Sequence, residues 1–570
     1  MTPPIVKPRN ASPIAALAGL GLCAGLLTVI QSPIGWGWLA WVAWVPFVWL
    51  CDSGQPTRRL AWLSFFVSAA YWLGNLYWIG YVTVPGYVMF CLYMALYWPI
   101  LVWGFRYLHR RRGLPYFACV PLLVLGAEAW QGILVTGFDW RLLAHSQYGN
   151  WPLMQIADIF GVTGISFLIA LANGLVADLL TEARHRGIRK AIRFGNGIKT
   201  VVTAGLIIAT IVYGQRRINE TPGCLRPGPM IAAVQPNIPS NIKELADSAE
   251  PILNDLIEQT TKVFAAGAAL VVWPETMVLA TLNAGFVAYC KEDSNPVVFD
   301  KRISELVKGK GNLVVGAHSA DLVFDERNSP VILHKYNSAF LYRTNGMQEP
   351  QRYDKIHLVP FGEYIPFRDL LPKLNKLILK LSPYDFDYQL THGTQHTVFE
   401  IEVDKQRYRF GVLICYEDTD AQVARQNTLD PSGQKKADWL VNVSNDGWYV
   451  RYQNGTVIPS PELPQRTILT AFRAIENRVW ILRSVNTGIS CLIDSTGKIR
   501  DGFKSGTLPK KAMDRQAVTG WFADRVQIDP RVTFFSRHGP WPKHLFAAVF
   551  VLIIAVGIGQ SIADRTKKGI

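Results

Sequence analysis

The sequence predicts a membrane protein of two parts, a bundle of eight transmembrane helices and an α/β domain held outside the cytoplasm. Three observations predict it. Long apolar segments follow one another through the first part of the chain and recur once near its end. Basic residues cluster in alternate loops between them. From about residue 228 to 528 the pattern changes to short apolar runs of β type. The 570 residues are 49% hydrophobic and only 18% charged, with 19 Trp, a balance that argues for lipid contact. The net charge of +15 sits between apolar segments rather than on one amphipathic face, so it reads as membrane topology and not as nucleic-acid binding.

The expected spans are 14–30, 35–51, 60–81, 86–107, 116–135, 152–180 and 200–214, seven within 1–220, followed by one in 544–562. A crossing helix needs roughly 20 apolar residues; 200–214 is short by that measure. The first span has the apolar core of a signal peptide. No small-residue cleavage site follows it and another span comes at once, so it is read as a retained helix.

Loop charge sets the orientation. Lys7 and Arg9 precede the first span, and Arg58 and Arg59 separate the second from the third. Arg106, His109, Arg110, Arg111 and Arg112 separate the fourth from the fifth, and Arg184, Arg186, Arg189, Lys190 and Arg193 the sixth from the seventh. Arg565, Lys567 and Lys568 end the chain. With eight crossings all of these fall on one side, so both termini are expected in the cytoplasm and 215–543 outside it. Arg216 and Arg217 are a local exception that a large translocated domain tolerates.

In the outer segment, β-type runs at 230–234, 269–273, 312–316, 338–342, 412–415 and 439–443 alternate with helical stretches such as 252–266 and 468–477. That alternation predicts an α/β domain over 228–528, with a linker at 221–229. Four of the 8 cysteines (Cys23, Cys51, Cys91, Cys119) lie in or at the ends of apolar spans. Cys224, Cys290, Cys415 and Cys491 are widely spaced with no CxxC pair, so neither a zinc site nor a disulfide scaffold is indicated. A Cys224–Cys290 bridge is left open.

The chemistry gathers at strand ends. The run Val412-Leu413-Ile414 ends on Cys415, with Tyr416 and Glu417 next, which puts a thiol where a strand leaves the core. A lone cysteine there is ordinarily a buried structural residue; its company elsewhere decides the matter. Trp273-Pro274-Glu275 puts a carboxylate just past a second strand. The stretch 352–364 supplies Lys355 and, in Pro360-Phe361-Gly362-Glu363-Tyr364, a second carboxylate. A thiol attacking an ester or amide needs a proton acceptor, and a carboxylate raised in pKa by burial serves. It also needs positive charge where the oxyanion grows, which Lys355 and the N–H after the cysteine are placed to supply.

In this order the motifs resemble the carbon–nitrogen hydrolase (nitrilase) superfamily, whose α-β-β-α sandwich and Glu-Lys-Cys triad the resemblance implies here. It carries Glu275 as general base, Lys355 as oxyanion stabiliser and Cys415 as nucleophile, with Glu363 as the second glutamate. The stretches 444–448 and 473–477 are further matches. With the preceding spans, the loop Thr136-Gly137-Phe138-Asp139-Trp140 and the final span, nearly the whole chain resembles the apolipoprotein N-acyltransferase family. The resemblance implies a multi-pass protein of the bacterial inner membrane with a periplasmic catalytic domain. It implies that Cys415 takes an acyl chain from a phospholipid as a thioester and passes it to the α-amine of a diacylated apolipoprotein, in ping-pong order. It also implies Tyr416, Glu417 and Asn337 as supporting residues, and no ATP, coenzyme A, metal or other cofactor. A monomer is expected. Glu244, where the family often has Trp nearby, and Arg466, where it often has His, are departures.

The stretch 364–384 interleaves Leu370, Leu371, Leu374, Leu377, Ile378 and Leu381 with Lys373, Lys376 and Lys380, and reads either as a headgroup-level amphipathic segment or as an ordinary packed helix. Glu128 within a span is read as a structural hydrogen-bonding residue. The Trp and Tyr between 36 and 103 are read as an interfacial belt and bundle packing. His145, His318, His357 and His392 show no ligand spacing, so no metal is assigned. Two other readings stand beside it: a membrane-tethered amidase with water as acceptor, which the same triad serves, and an inactive transporter or scaffold, which the intact Glu275, Lys355 and Cys415 disfavour.

Overall fold

The structure, a computed structural model, describes residues 12–187, 194–243, 245–365, 372–373 and 389–567. Most of the stretch 364–384, and with it the choice between its two readings, lies outside the described residues, as do Glu244 and several basic residues used above (Lys7, Arg9, Arg189, Lys190, Arg193, Lys568). The chain divides into two compact units, 1–218 with 540–570, and 219–539.

The first unit is helical. Among the described residues four helices are long and apolar enough to cross a membrane: Val84–Arg111, Ala157–Arg184, Asn196–Cys224 and Trp541–Asp564. Pro13–Val29, Gly37–Cys51 and Tyr116–Gln131 are apolar but shorter. The expected span 60–81 is the helix Thr57–Asn75 followed by a 3₁₀ turn, Tyr77–Tyr81. The segment read from sequence as a short span at 200–214 is part of a helix running Phe194–Cys224. That helix replaces the linker expected at 221–229, since the first strand of the second unit starts at Arg226. Partly buried polar groups tie helices to the segment 139–143. Glu128 Oε1 accepts the Leu143 N–H at 2.7 Å, and Lys543 Nζ donates to Asp139 Oδ2 at 2.6 Å.

The second unit is built on two sheets. The larger runs in the order Ser505–Gly506, Gly520–Ile528, Arg226–Gln235, Leu270–Val272, Asn312–Phe324, Pro330–Tyr342, Tyr353–Asp354, with Val278–Thr281 beside Asn312–Phe324. The smaller runs Cys491–Ile493, Trp480–Val485, Trp439–Ser444, Gln406–Ile414, Val398–Val403. Central pairs in both are parallel.

Side-chain alternation explains the layers. In the strand Arg226–Gln235, Met230, Ala232 and Val234 join a core with Leu253 and Leu256 of the helix Ala249–Ala265 and Ile303 of the helix Asn295–Val307. Ile231 and Ala233 point the other way, into a core shared with Val412, Ile414, Val441, Val443 and Leu482 of the smaller sheet. A strand buried on both faces must be apolar at every position, which is why these runs are unbroken in the sequence. The helices Ala421–Thr428 and Glu462–Asn477 belong with the smaller sheet. The unit is an α-β-β-α sandwich. Cys224 and Cys290 are both free, so the bridge left open above is not formed.

Candidate active site

The three groups expected to do the chemistry sit just past strand ends in this unit, while Asn337 lies within the strand Pro330–Tyr342. Glu275 follows Leu270–Val272, Lys355 follows Tyr353–Asp354, Cys415 follows Gln406–Ile414 and Asn445 follows Trp439–Ser444. Parallel strands bring their carboxyl ends to one edge, so residues far apart in the chain converge there.

The nucleophile candidate sits at a strained corner. Cys415 has φ +52° and opens the 3₁₀ turn Cys415–Thr419. A non-glycine residue holds that conformation only if its surroundings over-determine it. Here they do. Asn442 Nδ2 donates to the Leu413 and Cys415 carbonyls at 3.2 and 3.4 Å. Glu417 accepts the N–H of Ile414 at 2.7 Å and the O–H of Tyr353 at 2.9 Å on one oxygen. Its other oxygen accepts the N–H groups of Ile356 and His357 at 2.6 and 3.0 Å. One buried carboxyl thus clamps the cysteine turn to the loop carrying Lys355. Burial pushes that carboxyl up to about 7, against the N–H groups it accepts.

Two carboxylates share one ammonium and one amide. Lys355 Nζ lies 2.8 Å from Glu363 and 3.3 Å from Glu275 Oε1. Asn337 Nδ2 donates to Glu275 Oε1 at 2.7 Å and Glu363 Oε1 at 3.1 Å, and the Asn337 main-chain carbonyl accepts the Lys355 main-chain N–H at 2.8 Å. The second oxygen of Glu275 accepts the Asn445 N–H at 2.9 Å. Glu275 and the Cys415 thiol are close enough that each acts on the other's ionisation. The structure therefore brings Glu275, Lys355, Cys415, Glu363 and Asn337 together, with Glu417 directly behind them. Tyr416 stands to the side, its ring edge-on to His357 at 5.4 Å.

The electrostatics differ from expectation at one point. Burial pushes the Glu275 carboxyl up, but the Lys355 charge, the neighbouring Cys415 thiol and the Asn337 hydrogen bond outweigh it, and the net direction is down. Glu275 is thus an ionised acceptor in the resting site, not the raised acid that burial alone would make. Burial pulls the Lys355 ammonium down, and Cys415, Glu363 and Glu275 overcome that to raise it well above its usual range. Burial and the Glu275 charge push the Cys415 thiol up to about 12, against Lys355 and Arg466. The resting site holds a neutral thiol beside a carboxylate and an ammonium. That arrangement suits a proton transfer made as the sulfur attacks.

Sequence reading missed three features. Gly316 lies within the strand Asn312–Phe324, and a Cβ there would stand 2.4 Å from the Pro274 carbonyl and 2.8 Å from Glu275 Cα. A glycine in a strand interior was the available signal. The Glu417 clamp and the charge cluster around Asp418 left no local trace.

The chain matches two family models. The model described as the apolipoprotein N-acyltransferase N-terminal domain matches residues 23–175, and the carbon-nitrogen hydrolase model matches 230–514. The chain is similar to the apolipoprotein N-acyltransferase of Geobacter metallireducens, with 34% identity over 93% of this chain and 92% of that one. It is 25% identical to apolipoprotein N-acyltransferase 1 of Treponema denticola, over 82% of this chain and 83% of that one. It is 24% identical to the apolipoprotein N-acyltransferase of Bdellovibrio bacteriovorus, over 93% and 87%.

Proposed function

Because the chain belongs to the apolipoprotein N-acyltransferase family, we propose that it moves a fatty acyl chain from a phospholipid to the α-amine of an S-diacylglyceryl-cysteine apolipoprotein, through a thioester on Cys415. The observation that carries the reading is the meeting of a thiol, a carboxylate, Glu275, close enough that each acts on the other's ionisation, and a Lys355 ammonium 3.3 Å from that carboxylate.

In the first half-reaction the Cys415 sulfur attacks the ester carbonyl as Glu275 takes the thiol proton. A C–S bond forms, and the oxyanion is held by Lys355 and the N–H of Tyr416. Collapse breaks the ester C–O bond, and Glu275 returns the proton to the leaving lysophospholipid oxygen. In the second, the neutral α-amine attacks the thioester and loses a proton to Glu275. The C–S bond breaks, the amide remains, and the proton returns to sulfur. Glu363 and Asn337 keep Lys355 and Glu275 in register, Glu417 holds the turn, and Tyr416 flanks the thiol.

We place the enzyme in the inner membrane as a monomer with eight spans, seven of them within 1–220 and the last within 544–562. The catalytic domain, 228–528, is periplasmic and both termini are cytoplasmic. Alternate basic loops and the apolar helices support this reading.

The test is mass spectrometry of the full-length protein mixed with phospholipid. The parent is expected to gain one acyl mass, released onto a diacylated lipopeptide, and Cys415→Ala to fold and gain none. Loading by Cys415→Ala sinks the nucleophile assignment. Release only to water, with no acylated peptide, supports a hydrolase instead.

A further inference from the structure

A charge cluster behind the nucleophile turn has no part in the steps above. Arg466, on the helix Glu462–Asn477, is 1% exposed. Its Nε donates to both Asp418 oxygens at 3.1 and 3.2 Å, and its Nη1 to Asp446 Oδ1 at 2.8 Å. Asp418 lies on the 3₁₀ turn that Cys415 opens. Asp446 follows Asn445, whose N–H holds Glu275. One guanidinium therefore joins the turn bearing the thiol to the loop bearing the carboxylate's support. Its third nitrogen, Nη2, is buried with no hydrogen-bond partner among the described residues. A rigid planar fork suits holding two carboxylates on different elements in fixed register.

We infer that Arg466 is a positioning residue of the acyl-transfer centre: its guanidinium locks the Cys415 turn to the loop supporting Glu275 and sets a second positive charge behind the sulfur. The inference rests on Cys415 being the nucleophile.

Charge balance supports it. Glu275 and Glu363 are both ion-paired to Lys355, and the Lys243 charge also acts on Glu275. Arg466 lies within electrostatic reach of Cys415, each acting on the other's ionisation. The groups around Arg466 are Asp418, Asp446, Glu462 one turn back on its own helix, Arg483 on the strand Trp480–Val485, Cys415 and Tyr449. Burial and the Asp446 charge push the Glu462 carboxyl well above its usual range. Asp418 and Asp446 are paired with Arg466 and Arg483, and removing the Arg466 charge leaves Asp418 and Asp446 facing Arg483 alone.

The experiment compares full-length parent, Arg466→Lys and Arg466→His, loading acyl from phosphatidylethanolamine in mixed micelles between about pH 5 and 8. A histidine between two carboxylates is charged at low pH and loses its charge as pH rises. The ratio of the His variant's loading rate to the parent's is expected to be highest at low pH and to fall about tenfold per pH unit above the histidine's ionisation. The Lys variant's ratio is expected to be reduced but flat. A flat His ratio overturns the inference, because a merely structural arginine adds no ionisation to the profile. If the His variant does not fold, Asp446→Asn replaces it: kcat is expected to fall about tenfold with the phospholipid KM unchanged, and an unchanged kcat overturns the inference. A parent that loads no acyl on Cys415 refutes the proposed function itself, a separate outcome.

Discussion

Lys355 is held by two carboxylates and buried to 1% exposure, so its ammonium is charged and fixed before any substrate arrives. Pre-set charge of this kind stabilises an oxyanion without reorganisation. Lys355→Ala is expected to lower turnover by roughly 10²–10³ fold, measured as loading rate at saturating phospholipid. Turnover near the parent's would remove Lys355 from the mechanism. Cys415 yields a second test at this scale. An acid pushed up to about 12 is protonated throughout the neutral range, and its thiolate appears only as pH rises toward that value. Alkylation of Cys415 by iodoacetamide in substrate-free protein is therefore expected to be slow near neutrality and still to be rising at about pH 10. A plateau by about pH 8 would mean a resting thiolate–imidazolium-like pair of the kind other thiol enzymes use, and not the neutral thiol described here.

At the scale of elements, the site depends on how the turn Cys415–Thr419 is tied to the loop after Tyr353–Asp354. Glu417 makes that tie with four accepted hydrogen bonds, two on each oxygen. Glu417→Gln keeps the shape but turns an N–H₂ toward one pair of donors, leaving them unpaired in a buried place. The cost is expected to be at least about 1–3 kcal/mol, with loading slowed. Thermal unfolding in detergent measures it, and an unchanged midpoint would show that the clamp contributes nothing. Buried charge clusters are costly to break for the same reason. Removing one partner of Asp418, Asp446, Arg466 and Arg483 leaves an uncompensated charge in the interior.

For the whole molecule, orientation is the open proposal. The hairpin tip Asp325–Ser329 is exposed and carries Arg327. Trypsin added to intact spheroplasts is expected to cut there while sparing a tag at the carboxyl terminus. Cutting of the tag, or of the hairpin only after lysis, would reverse the assigned side. Much of the fold was legible at this scale. The unbroken runs at 230–234 and 439–443 are strands because both their faces are buried, and burial of that kind writes itself directly into composition. The strand Trp480–Val485 went unread because Arg483 interrupts its apolar pattern, and only the carboxylates waiting in the interior explain that charge. Helix limits such as Phe194–Cys224 were misjudged because the apolar run stops before Gln215, Arg216 and Arg217, whereas backbone hydrogen bonding carries the helix on past the point where composition turns polar.

By itself the sequence determined the residue types at each strand end, the order Glu275, Lys355, Cys415 in the chain and the alternation of basic loops between apolar spans. These are local properties, set by periodicity and by what a buried backbone tolerates. Only the tertiary structure decided that Glu275 rests ionised, that Gly316 must be small, that Glu417 joins two loops and that Arg466 bridges Asp418 to Asp446. Each depends on groups brought close by sheet packing from distant parts of the chain, and no local pattern encodes such a neighbour.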